Sequence, residues 1–564
     1  MITTEAPVKL TRNEGLKEAD TLLAGTIAQA LANPAIERFS DDDYEFLKFH
    51  GIYQQDDRDQ RKVAKHYMLM VRTKFPGGVL TAPQYLVCDD LARQYGNNTL
   101  RITTRQDFQF HGIIKSNLRQ SMKSLNEALI STIAACGDVE RNVMAPPTPA
   151  TSPLVDHVLW EAERLSEALC PKTPAYHGIW LEGQELDLRE PDAADFVDPL
   201  YGKTYLPRKF KTAFAIPPLN DTDIFTNDLG FIVIAENGKL LGYNLIAGGG
   251  MGMSHGNANT FPRVADVIGF FEPEHLEAFA KAVIMVHRDF GDRTNRKHAR
   301  LKYVLEERGV DWFRLEVEQR AGIELEPARP FHFTKQGDLL GWHQQTDGNY
   351  FLGLFVENGR VKDVEGYQLK TGLRRVIERF QPEVRLTSSQ NLLLVNVRPE
   401  QRTDLEQLLS EHGVSASNPF SRTRLASMAC PALPTCGLAL AESERTMPGI
   451  LTQVETLLSD LGLQEEELII RMTGCPNGCA RPYMAEIAFV GKGPNKYQIY
   501  LGGNEASTRL NRLYKDIVKG DDLLAELRVV LTRYLKERNL GERFGDFCQR
   551  VLWEEKGGIM TNDE

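Results

Sequence analysis

Four cysteines stand in two close pairs, Cys430 with Cys436 and Cys475 with Cys479, in a C-x5-C…C-x3-C pattern. Structural zinc sites usually space their paired ligands by about two to four residues, so the first pair departs from that habit. Four thiolates also hold iron–sulfur clusters, because soft sulfur ligands suit iron bound by sulfide. In GCPNGCARP, Pro476 and Gly478 disfavour a helix and let the backbone curl round a bulky inorganic group; Pro431 and Pro434 do the same in ACPALPTCG. Amides in these turns could donate to the sulfurs and tune a cluster. Structural zinc, or cysteines that are simply buried, remain open on spacing alone. Cys88, Cys136, Cys170 and Cys548 are scattered singly and read as small buried hydrophobes.

A second constellation is cationic. Arg101, Arg105, Gln109 and His111 share one parity in a run read as a single strand, so all four could face one side. Arg72 shares a strand face with Lys74, and Lys209 shares one with Lys211, beside Arg208 in PRKFK. For any one of these residues, a solvated strand face is the ordinary reading.

The elements that must position them repeat. RITTRQDFQF, from Arg101, is echoed by RLTSSQNLLL, from Arg385; YNLIAGGGMG, from Tyr243, is echoed by YQIYLGGNEA, from Tyr497. The order is kept over long offsets, which points to a duplicated half-protein rather than a solenoid. HYMLMVRTKFPGG and NYFLGLFVENGR each read as a strand entering a turn. APQYLVCDDLARQYG, TGLRRVIERF and DDLLAELRVVLTRYLKER carry apolar residues at helical spacing. FIVIAENGKLLGYNLIAGGG and EIAFVGKGPNKYQIYLGG read as hairpins, the first with an Asn-Gly turn. Linkers are expected around 145–153, 324–332 and 412–422.

With 564 residues, several structural units are required. Composition is globular, at 42% hydrophobic and 25% charged residues, and no apolar run approaches the roughly 18 residues of a membrane span. The formal charge of -11 argues against a general nucleic-acid binder but allows a local basic pocket. MITTEAPVKLTRNEGLKEAD lacks a basic segment followed by an apolar one, so a cytoplasmic protein is expected.

MACPALPTCGLALAESER followed by RMTGCPNGCARPYMAEIAFVG closely resembles the signature of siroheme-containing sulfite and nitrite reductases. FHGIYQQDDRD, TLRITTRQDFQFHG, CGDVERNVMAP, TYLPRKFKTA and ENGKLLGYNLIAGGGMG resemble further family segments, in family order, over nearly the whole chain. The resemblance implies a mixed α/β (α+β) fold. Duplicated pseudo-twofold halves, with ferredoxin-like and siroheme/Fe–S-binding lobes, would surround a central cofactor site. The expected division is 1–60 N-terminal extension, 61–145 first ferredoxin-like half, 154–323 first siroheme-binding lobe, 333–411 second ferredoxin-like half, and 423–560 the lobe with the cysteine ligands.

By the same resemblance Cys430, Cys436, Cys475 and Cys479 hold a 4Fe–4S cluster, and Cys479 bridges to the siroheme iron. Arg101, Arg105, Gln109, His111 and Arg208 would line siroheme, with Gln390 and Asn391 as second-half counterparts. Arg72, Arg141, Lys209 and Lys211 would meet the substrate, with Lys74 behind them; His50 reads as structural. Siroheme carries eight carboxylates and sulfite two charges, so such a pocket needs many cations.

The activity implied is assimilatory sulfite reduction, six electrons taking sulfite to sulfide. The alternatives are a siroheme nitrite reductase or, from other classes, a binding protein stabilised by zinc on four cysteines, or a simple electron carrier. Lys211 favours sulfite, since nitrite-reducing relatives tend to place Asn there. No G-x-G-x-x-G fingerprint follows a strand, so electrons would come from a separate protein. VRTK, GWHQQTDG and GCARPYMAE resemble ferredoxin-dependent enzymes; YQQDDRD and ENGKLLG resemble the haemoprotein partner of an NADPH flavoprotein. The balance leans to ferredoxin.

Overall fold

Apolar residues at alternate positions, as in YMLMVR and YFLGL, can cover only one face of a sheet, so each strand needs neighbours and a helical cover. The computed structural model describes residues 9–149, 152–172, 179–181, 184–186 and 197–554. Part of the N-terminal stretch read for a leader, and part of the linker at 145–153, lie outside them.

In chain order the strands are β1 (Ile52–Asp56), β2 (Tyr67–Arg72), β3 (Val79–Leu80), β4 (Leu100–Ile102) and β5 (Phe108–Ile113). A small hairpin, β6 (Ile179–Leu181) and β7 (Gln184–Leu186), precedes β8 (Thr212–Ala215), β9 (Leu229–Glu236), β10 (Lys239–Ala247) and β11 (Asp266–Phe271). The second half runs through β12 (Gly341–Gln344), β13 (Tyr350–Leu354), β14 (Arg360–Val361), β15 (Asp363–Val364), β16 (Tyr367–Gln368), β17 (Glu383–Leu386) and β18 (Leu392–Val397). It ends in β19 (Met428–Ala429), β20 (Ile470–Thr473), β21 (Ile487–Gly493), β22 (Lys496–Leu501) and β23 (Arg512–Lys519).

Two sheets have matching orders, β1-β2-β5-β4-β14 and β12-β13-β18-β17-β3. Each half lends its short third strand to the other: β14 pairs with β4 and β3 pairs with β17. The two sheets therefore share one core, in which Leu69, Val71, Phe108 and Phe110 sit with Leu352, Leu354, Leu392 and Leu394. Helices Ala82–Gln94 and Leu369–Phe380 cover it at corresponding places. A Thr81 capping box and Pro83 in the first turn start the former.

The other two sheets also correspond. β8 runs parallel to β9, and β20 parallel to β21; β10 and β22 then return as antiparallel hairpin partners. Both φ values are positive at Asn237-Gly238, as the hairpin turn requires. In the second lobe the crossing segment after β20 carries Cys475 and Cys479. Its first-lobe equivalent carries Asp221 and Asp223. Asp223 and Arg481 both adopt left-handed φ, at 48° and 50°, each starting a short 3-10 turn. They meet as a buried ion pair. The Thr104 hydroxyl donates to the Cys479 carbonyl at 3.0 Å, and Ser388 donates likewise to the Asp221 carbonyl. The two halves are thus related about an axis that passes close to the cysteine turn.

Candidate active site

The strand read as one piece is a hairpin. β4 ends at Ile102; the Thr103 hydroxyl accepts from the Arg105 and Asp107 amides, and Gln106 has φ 58°, so the chain reverses before β5. Arg105 therefore sits in the turn, not on a shared strand face. The register across the sheet still aligns Arg72, Gln109 and Arg101 in one row. The Gln109 side-chain oxygen accepts from the Arg72 guanidinium, which fixes Arg72 at the end of β2.

Phe210 bridges Glu140 in parallel fashion, and its carbonyl accepts from the Arg141 amide at 3.2 Å. The Phe210 ring is fully buried, so alternation turns Lys209 and Lys211 the other way. These lysines and Arg208 lie deep in the molecule yet are only half-buried, as side chains lining a cleft are. Among the described residues none of the three side chains has a hydrogen bond to protein. Burial, then Arg141 and Arg208, push the Lys209 ammonium well below the ordinary lysine pKa; burial, then Arg105 and Lys209, do the same for Lys211. Crowded cations of this kind call for an anionic occupant.

Cys430, Cys436, Cys475 and Cys479 face one another. Burial comes first and the neighbouring thiols second in pushing the Cys430 thiol up and that of Cys475 up to about 12. Thiols buried like those of Cys430 and Cys475 ionise readily only around a cationic group. The Gly474 amide and the Asn477 side chain donate to the sulfurs of Cys430 and Cys475, at 3.3 and 3.4 Å. Sulfurs round a single zinc ion stand about 3.8 Å apart. Among the described residues no three of these thiols come within 4.8 Å of one another. Cys479 is the exposed member of the four, and the Thr104 hydroxyl, in the turn that carries Arg105, donates to its carbonyl.

The remaining expected residues divide. Arg208 faces the same cleft, near Arg141 and Tyr53. His111 is buried with neither ring nitrogen partnered, and burial, then Arg360, lowers its pKa to about 3. Arg101 donates to the carbonyls of Ile102 and Ala429 at 2.8 and 2.7 Å and pairs with Glu444 at 3.0 Å. Gln390 donates to the same Ala429 carbonyl at 3.1 Å, just before Cys430. Arg105 donates to Asn227, Asn142 and Thr212, and Asn391 spends its amide on Val356 and Asp338. Arg101 and Arg105 are therefore committed to protein acceptors, and Asn391 to one protein donor and one acceptor. His50 is half-buried, and desolvation lowers its pKa to about 4. Lys74 is buried beside Ser131.

Sequence reasoning missed several neighbours. Asp107, under Arg72, is raised to about 7 by burial against the pull of Arg72. Asp228 holds Arg300 in a buried bidentate pair, and Lys302 threads the carbonyls of Gly250, Gly252 and Phe261. That GGGMG loop touches the cysteine turn, where the Met253 amide donates to the Pro476 carbonyl. Cys136, read as a plain hydrophobe, faces Tyr53 and Arg72. No local spacing marks these residues; only the fold collects them.

A duplicated sheet framework, two cysteine pairs in one lobe and a cleft lined by cations that are unpaired among the described residues are what a cluster-dependent reductase of small anions requires. The nitrite and sulphite reductase 4Fe-4S domain profile matches residues 160–325, and the nitrite/sulfite reductase ferredoxin-like half domain matches 61–128 and 343–412. The former covers the first lobe, while the four cysteines lie in the second. The chain is 47% identical over 549 residues to the sulfite reductase (NADPH) hemoprotein beta-component of Oceanobacillus iheyensis, spanning 96% of this chain and 94% of that one. It is 49% identical to the protein of the same name from Myxococcus xanthus, over 97% of each. The NirA protein of Mycobacterium tuberculosis shares the fold, with a TM-score of 0.77 at 24% identity over 96% of both chains. The chain belongs to the nitrite and sulphite reductase family.

Proposed function

We propose that this chain is the catalytic haemoprotein of an assimilatory sulfite reductase, taking sulfite to sulfide at siroheme coupled to a 4Fe–4S cluster. The observation that carries this reading is the placement of Cys479, the exposed member of the four cysteines, whose carbonyl accepts at 3.0 Å from Thr104 in the turn that carries Arg105. Cys430, Cys436, Cys475 and Cys479 would hold the cluster; Arg208 and His111 would meet siroheme. Arg101 and Gln390 act through the Ala429 carbonyl that precedes Cys430. When bound, the coupled cofactors supply electrons singly while the sulfur stays in place.

The chain's own share is charge and protons. Arg72, held by Gln109, and Arg141, with its Nη2 on the Gly137 carbonyl, offer fixed donors to an oxyanion. Lys209 and Lys211, with lowered pKa values, release protons more readily than ordinary lysines and suit general-acid work as S–O bonds break. Electrons come from a separate protein. The names of the relatives favour an NADPH-dependent flavoprotein, against the sequence leaning to ferredoxin. No described helix is long and apolar enough to cross a membrane, which accords with a cytoplasmic enzyme. Siroheme absorption bands, a cluster EPR signal and sulfide production with reduced methyl viologen test the reading. A colourless, zinc-loaded protein would overturn it. Adding an NADPH flavoprotein or a ferredoxin in place of the dye decides the donor.

A further inference from the structure

We propose that Arg58 is a positioning residue for the cluster: it clamps the surface loop that carries Cys436 and keeps a positive charge on that loop, which sets how readily the cluster accepts an electron. This rests on the reading of the four cysteines as cluster ligands. Arg58 lies between β1 and β2, 378 residues from Cys436. Its Nη1 donates to the carbonyls of Cys436, Gly437 and Ala439 at 3.2, 3.3 and 3.1 Å. Its backbone amide donates to the Pro434 carbonyl at 3.1 Å. Four bonds from one residue thus close the Cys436 turn from outside.

That turn needs an external hold. It lies at the surface, with Leu438 69% exposed, and it belongs to neither a strand nor a helix. The segment around Arg58 is itself anchored, since Asp59 pairs with Arg445 at 2.6 Å and Asp56 takes Arg61 through two bonds. Arg58 makes no ion pair among the described residues, so its charge is directed at the loop carbonyls. The guanidinium held in this way lies within hydrogen-bond distance of the carbonyl of Cys436, the residue that bears the thiol. A positive charge held there favours the added electron of a reduced cluster by Coulomb attraction.

Redox titration of the holoenzyme without sulfite, followed by EPR of the cluster, tests this in Arg58→Gln and Arg58→Lys. Glutamine keeps a donor but loses the charge; lysine keeps both charge and donors. At the wild-type midpoint, Arg58→Gln should lower the reduced-to-oxidised ratio about threefold to tenfold, the larger value being a shift of about 59 mV. Arg58→Lys should stay within about twofold, and iron release to a chelator should quicken in the glutamine variant alone. Wild-type behaviour in Arg58→Gln would overturn the inference. If Arg58→Gln retains no cluster, Arg58→Lys decides: a loaded protein with a near-wild-type midpoint supports the role, and an empty or equally shifted one overturns it. A wild-type protein without any cluster signal would instead overturn the reading of the four cysteines, and the inference with it.

Discussion

Lys211 is the side chain whose identity bears most directly on substrate. Its ammonium faces the cleft with no protein acceptor among the described residues, so its donor capacity is available to an anion. Sulfite has more charge and one more oxygen than nitrite and therefore needs more cationic donors. Lys211→Asn should cost sulfite reduction about tenfold to a hundredfold in kcat/KM, the equivalent of one charge-assisted hydrogen bond of roughly 1.5–3 kcal/mol. Nitrite reduction should suffer less. Parallel assays with methyl viologen, at matched siroheme content, check this; equal losses would make Lys211 a cofactor residue.

Asp138, two residues beyond Cys136, tests the buried charges that frame the cleft. Burial would raise its carboxyl, but Arg296, at 2.7 and 3.0 Å, and then Lys17 outweigh that and hold it well below the usual carboxylate range. A depressed folded pKa gives stability that is present above the ordinary value of 3.8 and is lost as pH falls below it. Asp138→Asn should therefore destabilise the protein by about 1.5–3 kcal/mol at pH 7, because half-buried Arg296 loses its carboxylate while Lys17 keeps Glu14. The gap in urea midpoint between variant and wild type should narrow towards pH 3. A gap independent of pH would mean packing, not charge, is at stake.

At the scale of elements, the exchanged strands carry the clearest expectation. Gly78 and Gly359 occupy matching turns just before β3 and β14, with φ of 78° and 70°. A Cβ on Gly78 would collide with the Leu386 carbonyl, and one on Gly359 with the Arg101 guanidinium and the Ile102 carbonyl. Either alanine variant should lose stability, by about 1–3 kcal/mol for the strained φ alone. Only Gly359→Ala should also lower cluster content, because it displaces the arginine that holds the carbonyl before Cys430. Thermal melts and iron-to-protein ratios for the two variants separate these effects. Equal iron loss in both would remove Arg101 from the cluster's support.

The whole molecule is tied together by what the halves lend each other. With β14 supplied from one side and β3 from the other, neither central sheet is complete within its own half, and their apolar residues form one core. A chain divided in the stretch 324–332 should yield two fragments that fail to fold separately and combine when co-expressed. Circular dichroism and cofactor uptake of the single and paired fragments test this. An N-terminal fragment with a cooperative melt of its own would show that the borrowed strand is dispensable.

Much of this was legible in the sequence wherever the signal is local. The two cysteine pairs, the hairpin at Asn237-Gly238, the amphipathic helices and the echo of β10 in β22 follow from spacing, turn chemistry and periodicity within a few residues. The same local reading mistook Thr103–Asp107 for strand, because a threonine hydroxyl capping two amides leaves no mark on apolar alternation. What each cation does was decided by tertiary structure. Arg105 meets Asn227, Arg101 meets Ala429 and Arg58 meets Cys436 across 122, 328 and 378 residues. A guanidinium binds whichever acceptor the fold brings within about 3 Å, whether carbonyl, carboxylate or substrate. Sequence could name the arginines and lysines of this pocket; only the fold separates those that hold the protein together from Lys209 and Lys211, whose charges remain directed into the cleft.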